Sequence, residues 1–249
     1  MLRLEAVTRR YGAFTAVDAL SLHVEPGRIM GFLGPNGAGK TTTMKMIVGL
    51  GRPTTGRILV DGLDVQAEPL AVKARLGYIP DRPNLPQRLT AREYLYFIAG
   101  LYRMDPADAR QRTEEQLALF GLGPRAGHLI ESFSHGMKQR LVMASVLLHR
   151  PRLLVVDEPM VGLDPRGARL LKDVLRAEAA AGLTVFLSTH TLEVADEVCD
   201  TVAVIDRGRL IAQGTPADLR IHAGAVGRTL EEVFLRLTTE EADALDVNG

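Results

Sequence analysis

The chain has 249 residues, of which 46% are hydrophobic and 24% charged, and its 30 basic residues are cancelled by 30 acidic ones. This is the composition of an ordinary globular protein, with length for one large core or two modest ones, and it excludes a broad cationic surface for nucleic acid. A lone cysteine, Cys199, excludes an internal disulfide and reads as a small buried apolar residue, no apolar run approaches the ~20 residues that span a bilayer, and Met1 to Glu5 carry no signal-peptide pattern. The expectation is a soluble, cytoplasmic chain that reaches a membrane only through a partner.

In chain order, Leu20, Leu22 and Val24 alternate with Ser21 and His23, as in a half-buried strand, and Pro26-Gly27 is a turn. The apolar run Ile29 to Leu33 reads as a buried strand. It leads into Gly34 to Thr41, G-P-N-G-A-G-K-T, which matches the phosphate-binding spacing G-x-x-x-x-G-K-[ST]. Glycines let successive backbone N–H groups turn inward around an anion, Lys40 reaches the outer phosphates, and the Thr41 hydroxyl can bind Mg²⁺. Thr42 to Leu50 is apolar at helical spacing, so the loop feeds a helix N-terminus whose dipole favours phosphate. The plainer alternative is an ordinary Gly-rich turn.

Ile58 to Val60, closed by Asp61-Gly62, is another short strand. Thr90-Ala91-Arg92-Glu93 is a capping box that predicts a helix from Ala91 through Leu101. A second helix is expected from about Pro106 to Phe120, and a third from near Met137 to before Pro151. Leu153 to Val156 suits a strand buried on both faces. Asp164-Pro165 reads as an N-cap and first helical residue, with Gly182 closing that helix. Thr184 to Leu187 is the next strand. Val202 to Ile205 and Leu210 to Ala212 form a hairpin about Arg207-Gly208, and short helices start at Thr215 and Thr229. The tail Asp243 to Gly249 is expected to fray. The alternation of strand and helix implies an α/β fold: a mostly parallel sheet with helices on both faces and a helical segment inserted between its halves.

A phosphate loop needs a carboxylate on the metal side, and Asp157, at the end of an apolar strand, can hold Mg²⁺ beside Thr41. Glu158 follows at the C-terminal edge of the sheet, where it can polarise a water for attack on a γ-phosphate. The bland alternative is a strand that ends in two solvated acids.

Phe133-Ser134-His135-Gly136-Met137-Lys138-Gln139-Arg140 resembles the signature segment of ABC ATPases, usually L-S-G-G-Q, and stands before Asp157-Glu158 in that family's order. Gly162-Leu163-Asp164 is similar to the family's D-loop, Ser188-Thr189-His190 to its switch histidine, and Tyr11 stands where the family stacks an aromatic on adenine; as an isolated residue Tyr11 would be a packing aromatic. The resemblance covers about residues 2 to 220. It implies a P-loop NTPase fold: a RecA-like, mostly parallel sheet with an antiparallel β subdomain and an inserted helical subdomain at about 82–150. The ATPase domain would span 2–232 and a C-terminal extension 233–249.

The resemblance also implies ATP and Mg²⁺ as ligands and two chains packed head to tail. Each ATP would touch Gly34, Pro35, Asn36, Gly37, Ala38, Gly39, Lys40, Thr41, Thr42 and Tyr11 of one chain, and Ser134 and Gly136 of the other. Thr41 and Asp157 would hold the metal, and Glu158, Lys40 and His190 would act in hydrolysis. Asp81 occupies the place of the family's usual glutamine, so it reaches Mg²⁺ directly or through water. His135 replaces the first signature glycine and requires a histidine-compatible backbone. Both departures, with the run Thr229 to Thr238, look like export-type subunits. The implied partners are a second copy of the chain and integral membrane permease subunits, with no nucleic acid, and the implied location is peripheral on the cytoplasmic side of the membrane. Tyr94, Tyr96, Phe97 and Tyr102 read as helical core or, alternatively, as a docking groove for the permease. Rival readings are a soluble ABC ATPase acting on ribosomes or DNA, and a regulatory ATP-binding module. A GTPase would carry an N-K-x-D motif, which the sequence lacks.

Overall fold

The computed structural model describes residues 1–82, 84–160, 163–189, 191–222, 224 and 228–236. The expected frayed tail, Asp243 to Gly249, lies outside them. In chain order the elements are β1 (Leu2–Tyr11), β2 (Phe14–Val24), β3 (Ile29–Leu33), α1 (Lys40–Ile47), β4 (Thr55–Val60), β5 (Leu63–Asp64), α2 (Pro69–Lys73), β6 (Leu76–Ile79), α3 (Ala91–Leu101) and α4 (Pro106–Leu119). They continue with α5 (His135–Leu147), β7 (Leu153–Asp157), α6 (Pro165–Ala180), β8 (Thr184–Ser188), α7 (Leu192–Val198), β9 (Thr201–Asp206), β10 (Arg209–Gly214) and α8 (Pro216–His222). Residues 230–236 are also helical.

The strands form two sheets. The larger runs β10-β9-β3-β8-β7-β6 and is parallel except for β10; the smaller runs β2-β1-β4-β5 and is antiparallel. The short strands of the large sheet are apolar throughout because both faces are covered, and their period-two alternation divides the side chains between two cores. Ile29, Leu33, Leu154, Val156, Val185 and Leu187 pack on one face with α3, α5, α6 and α7. Met30, Phe32, Leu153, Val155 and Phe186 pack on the other with α1 and the small sheet. Helices lie on both faces, as expected; on the second face α1 and Val72 of the short α2 share the core with the small antiparallel sheet. Cys199 is buried, and burial pushes its thiol up to about 12, which leaves it an inert packing group.

The capping box holds: Thr90 Oγ1 accepts from the Glu93 N–H at 3.2 Å, and the Glu93 carboxylate accepts from the Thr90 N–H at 2.8 Å. α5 begins at His135, not near Met137, because Ser134 is its N-cap and accepts the Met137 N–H at 3.3 Å. β1 escaped the sequence reading, and β2 starts at Phe14, well before Leu20. The reason is a bulge: Ala6 and Ala19 have φ of 46° and 47°, and the pairing shifts register between Leu4 and Val7, which breaks the alternation that marks a strand. Among the described residues no helix is long and apolar enough to cross a membrane.

Phe32 of the central strand β3 meets Phe186 of β8 with ring centroids 5.0 Å apart at 37°. Both rings are fully buried, so Phe32→Ala removes an aromatic contact and leaves a cavity. Urea unfolding of Phe32→Ala is expected to show a loss of about 3–5 kcal/mol; a loss below about 1 kcal/mol contradicts the packing described.

Candidate nucleotide site

The site grows from the C-terminal edge of the large sheet, where β3, β6 and β7 end. After Leu33 the chain turns sharply to start α1 at Lys40. Gly39 makes the turn with φ of +105°, and a Cβ there would lie 2.5 Å from the Ala16 carbonyl, so conformation and space both demand glycine. The loop is tied down on two sides: the Ala38 N–H donates to Pro35 O at 3.2 Å, the Gly208 N–H donates to Ala38 O at 3.0 Å, and the Asp18 N–H donates to Gly208 O at 2.9 Å. The β9–β10 hairpin and β2 thereby hold the loop from behind.

Lys40 is 8% exposed. Its ammonium donates to Gly34 O at 2.6 Å and Pro35 O at 3.1 Å, so the loop wraps its own cation. Burial holds the ammonium pKa below its ordinary value, while the charges of Glu158 and then Asp157 oppose that shift. Asp157 is buried at the end of β7 and accepts a hydrogen bond from the Ser188 hydroxyl of β8. Burial raises its carboxyl pKa; the Ser188 bond opposes this, Glu158 and Asp81 add to it, and Lys40 opposes it. Tyr78 on β6 shares the neighbourhood, and burial, with the charges of Asp157 and Asp81, pushes its phenol up to about 12. The picture of two solvated acids after a strand is therefore wrong for Asp157.

Glu158 stands in the left-handed region at φ 48°, an unusual conformation for a side chain of this size, and its N–H donates to Ser188 O at 3.1 Å. The turn carries Glu158 onto the wall of a cavity of about 410 Å³. Its lining joins Pro35, Asn36, Gly37, Gly39, Lys40, Thr41 and Thr42 of the loop and α1 with Asp81, Asp157 and Glu158, and with Phe14 and Ala16 of β2. A cation and three carboxylates thus share a space of small-ligand size at the crevice where open α/β sheets bind ligands.

The remaining expected residues stand elsewhere. Gly34 and Ala38 support the loop rather than line this cavity; Ala38 is buried, and Gly34 borders a separate space of about 320 Å³ with Thr189, Leu192 and Phe234. Tyr11 does not line the cavity. It is exposed at the end of β1, with the Arg9 guanidinium 4.4 Å over its ring, while its cross-strand partner Phe14 does line it. Ser134 and Gly136, at the start of α5, are not on the wall either, and neither is His135, an exposed residue in ordinary helical conformation. His190 and Gly162 lie outside the described residues. Phe14, Ala16 and the hydroxyl of Ser188 were not foreseen as site residues; in the sequence Ser188 stands only as the first residue of the switch segment Ser188-Thr189-His190, with no role for its side chain.

The chemistry of the donor set suits a nucleotide with Mg²⁺. Among the described residues no group of His, Cys, Asp or Glu gathers into a metal site by itself. Mg²⁺ commonly takes one or two carboxylates and completes its shell with water and substrate phosphate, which is what Asp157 and Thr41 beside a glycine-rich loop can offer.

A second cleft, of about 340 Å³, lies beside α3 and α5 and is lined by Leu50, Tyr78, Tyr94, Ile98, Tyr102 and His149, among others. Tyr102 stacks on His149 with centroids 3.7 Å apart, and burial lowers the His149 pKa to about 4, so this imidazole is neutral near pH 7. The expectation that most of these four aromatics are helical core fails: Tyr96, Phe97 and Tyr102 are exposed, and Tyr94 is half-buried.

The family model described as "ABC transporter" matches residues 17–161. The chain is 38% identical over 233 residues to the Nod factor export ATP-binding protein I of Paraburkholderia xenovorans, covering 94% of this chain and 76% of that protein. It is 40% identical over 224 residues to the daunorubicin/doxorubicin resistance ATP-binding protein DrrA of Streptomyces peucetius, covering 90% of this chain and 68% of the other. Among solved structures, an ATP-binding subunit of an ABC transporter superposes with a TM-score of 0.91 at 33% identity, over 96% of this chain and 99% of that one. A dimeric ATP-binding cassette in a post-hydrolysis state with ADP and Pi superposes with a TM-score of 0.77 at 25% identity, over 86% and 98% of the two chains. The cavity around Lys40, the fold that carries it and these likenesses agree: this chain belongs to the ABC transporter family, as an ATP-binding subunit with the P-loop ATPase fold.

Proposed function

We propose that this chain drives export: two copies pair head to tail beneath separate transmembrane subunits and split ATP at their shared interface. The observation that carries this reading is the split of the expected machinery. Lys40, Thr41, Asp157 and Glu158 line one cavity, while Ser134 and Gly136, at the start of α5, are not among the residues that line it. A second copy related by a two-fold axis can supply the missing segment to each site at once. The relatives named for Nod factor export and drug resistance, and a structural neighbour that is a dimer holding ADP and Pi, support the same reading.

In this mechanism the triphosphate enters the loop and takes over the Lys40 ammonium from the carbonyls of Gly34 and Pro35. Phosphate oxygens are stronger acceptors than carbonyls for a cation, and the burial of Lys40 strengthens that preference. Thr41 and Asp157 would hold Mg²⁺, which supplies charge neutralisation to the phosphates. Glu158, set on the wall by its left-handed backbone, orients the attacking water and accepts its proton. Asp81 lies on the same wall, and we assign it contact with the metal through water. His190 is assigned the γ-phosphate, and Tyr11, with Phe14, the base. The partner copy's serine hydroxyl and helix N-terminus close the site, and release of phosphate reopens it.

We assign the cleft of Leu50, Tyr94, Ile98 and Tyr102 to docking of a permease segment, and we infer a peripheral location on the cytoplasmic side of the membrane. We take residues 2–232 as the ATPase domain, 82–150 as its helical part and 233–249 as an extension.

Glu158→Gln keeps the shape of the wall and removes the base. ATP binding is expected to stay within a few-fold of the unaltered chain while turnover falls by about 10²-fold or more; near-normal turnover contradicts the role given to Glu158. Asp157 gives a pH signature. Its pKa is raised above the ordinary 3.8 in the folded chain, so the folded chain binds that proton more tightly than the unfolded one. The stabilisation is present at low pH and is lost as pH rises through the raised value, leaving an ionised, buried group that costs stability at neutral pH. Without Mg²⁺, Asp157→Asn is therefore expected to melt above the unaltered chain at pH 7, with the gap closing below pH 3.8. A lower melting temperature at pH 7 contradicts this.

A further inference from the structure

At the opposite edge of the large sheet, where β7 and β8 begin, a second polar cavity of about 450 Å³ opens between α4, the segment after α5 and the end of α6. Strands of this length place it about 16 Å from the nucleotide edge, and it shares no lining residue with the nucleotide cavity. Arg112 of α4 lines it and is only 7% exposed. Among the described residues the one ionic partner of this guanidinium is Asp108, at a loose 3.8 Å and half-exposed. Arg150 lines the same space, and it repels rather than neutralises Arg112. Burial first and Arg150 second hold the Arg112 pKa below its ordinary value, while the charges of Asp108, Glu115 and Glu178 oppose that shift without cancelling it. Arg152 adds a third guanidinium at the rim, already bonded to Asp61 at 2.8 Å.

A nearly buried guanidinium that meets a second guanidinium, and that the carboxylates of Asp108, Glu115 and Glu178 offset only in part, is an unfavourable arrangement. It becomes favourable when an anion lies between the two, since guanidinium forks match the oxygens of phosphate. The cavity is larger than a lone phosphate needs and falls within the usual range of small-ligand sites. Its remaining polar wall suits hydroxyl groups: the Gln116 amide oxygen is buried with no hydrogen-bond partner, and the Glu178 carboxylate also lines the space.

We propose that this cavity binds a phosphate group, free or carried by a small hydroxylated molecule, between Arg112 and Arg150, with hydroxyls directed to Gln116 and Glu178. The ligand holds α4 against the turn that leads into β8, so its occupancy tightens the helical segment against the sheet.

The test is a titration of the full chain with inorganic phosphate and, separately, with glycerol 3-phosphate, at ionic strength held constant with chloride. The readout is the arginine side-chain Nε–H signals in nitrogen-15 NMR, with the Arg112 signal identified by its loss in Arg112→Lys. No arginine lines the nucleotide cavity, so phosphate held there makes no direct contact with the side chains that give these signals. The expected result is a saturable shift of the Arg112 and Arg150 signals, weakened at least about tenfold by Arg150→Ser, a substitution at an exposed position. Equal affinity for both ligands identifies free phosphate as the occupant, and tighter binding of glycerol 3-phosphate identifies a phosphorylated molecule. A shift that grows linearly with concentration, no shift, or an unchanged affinity in Arg150→Ser overturns the proposal. Arg112→Gln gives an independent arm: its Arg150 signal is expected to stop responding, and a response of unaltered midpoint overturns the proposal as well.

Discussion

One position fixes the geometry of the nucleotide site. Ser188, the last residue of β8, is paired across the sheet with Phe32 of β3 on one side and with Asp157 of β7 on the other. Its carbonyl accepts the Glu158 N–H, and its hydroxyl donates to Asp157. The loop that bears Lys40 follows β3 directly, and the two acids end β7, so the parallel register at this residue sets the distance between cation and carboxylates. A slip of one residue would exchange the two faces of each strand and carry the acids away from the loop. The two apolar cores on either side of the sheet make such a slip prohibitive, because every second residue of these strands is matched to a different core.

The charges of the site are arranged for a ligand more than for the folded chain alone. Lys40 is desolvated and satisfied by carbonyls, Asp157 is buried with one hydroxyl partner, and Glu158 is held in a costly backbone conformation. Each is a small local expense of stability that the surrounding cores sustain. A phosphate chain with its metal would complement all three, and that is the sense in which the cavity is preorganised.

What was legible in the sequence was what is contiguous. Gly34 to Thr41 encodes its loop locally, through glycine at the turn and a helix start at Lys40, and the order of strands and helices gave the parallel sheet. Asp157 and Glu158 were legible because they end an apolar run. Features made by pairing distant segments were not. β1 was hidden because the bulge at Ala6 breaks the period on which a strand is recognised, and Phe14 faces the cavity only because β1 and β2 pair across their turn. The apolar pattern places the start of α5 near Met137, whereas the helix starts two residues earlier because the Ser134 hydroxyl caps it. The cavity of Arg112 and Arg150 draws on three separated segments, and no single stretch of sequence announces it.

The separation of Ser134 and Gly136 from the cavity of Lys40 gives the account its central claim, that a complete hydrolytic centre needs two chains. The most direct test is the steady-state ATPase rate per chain at saturating ATP and Mg²⁺, followed over a wide range of protein concentration. The account predicts a rate per chain that rises steeply with concentration at high dilution and levels off once pairs predominate. A rate per chain that stays constant down to dilutions at which sedimentation finds single chains only would contradict it.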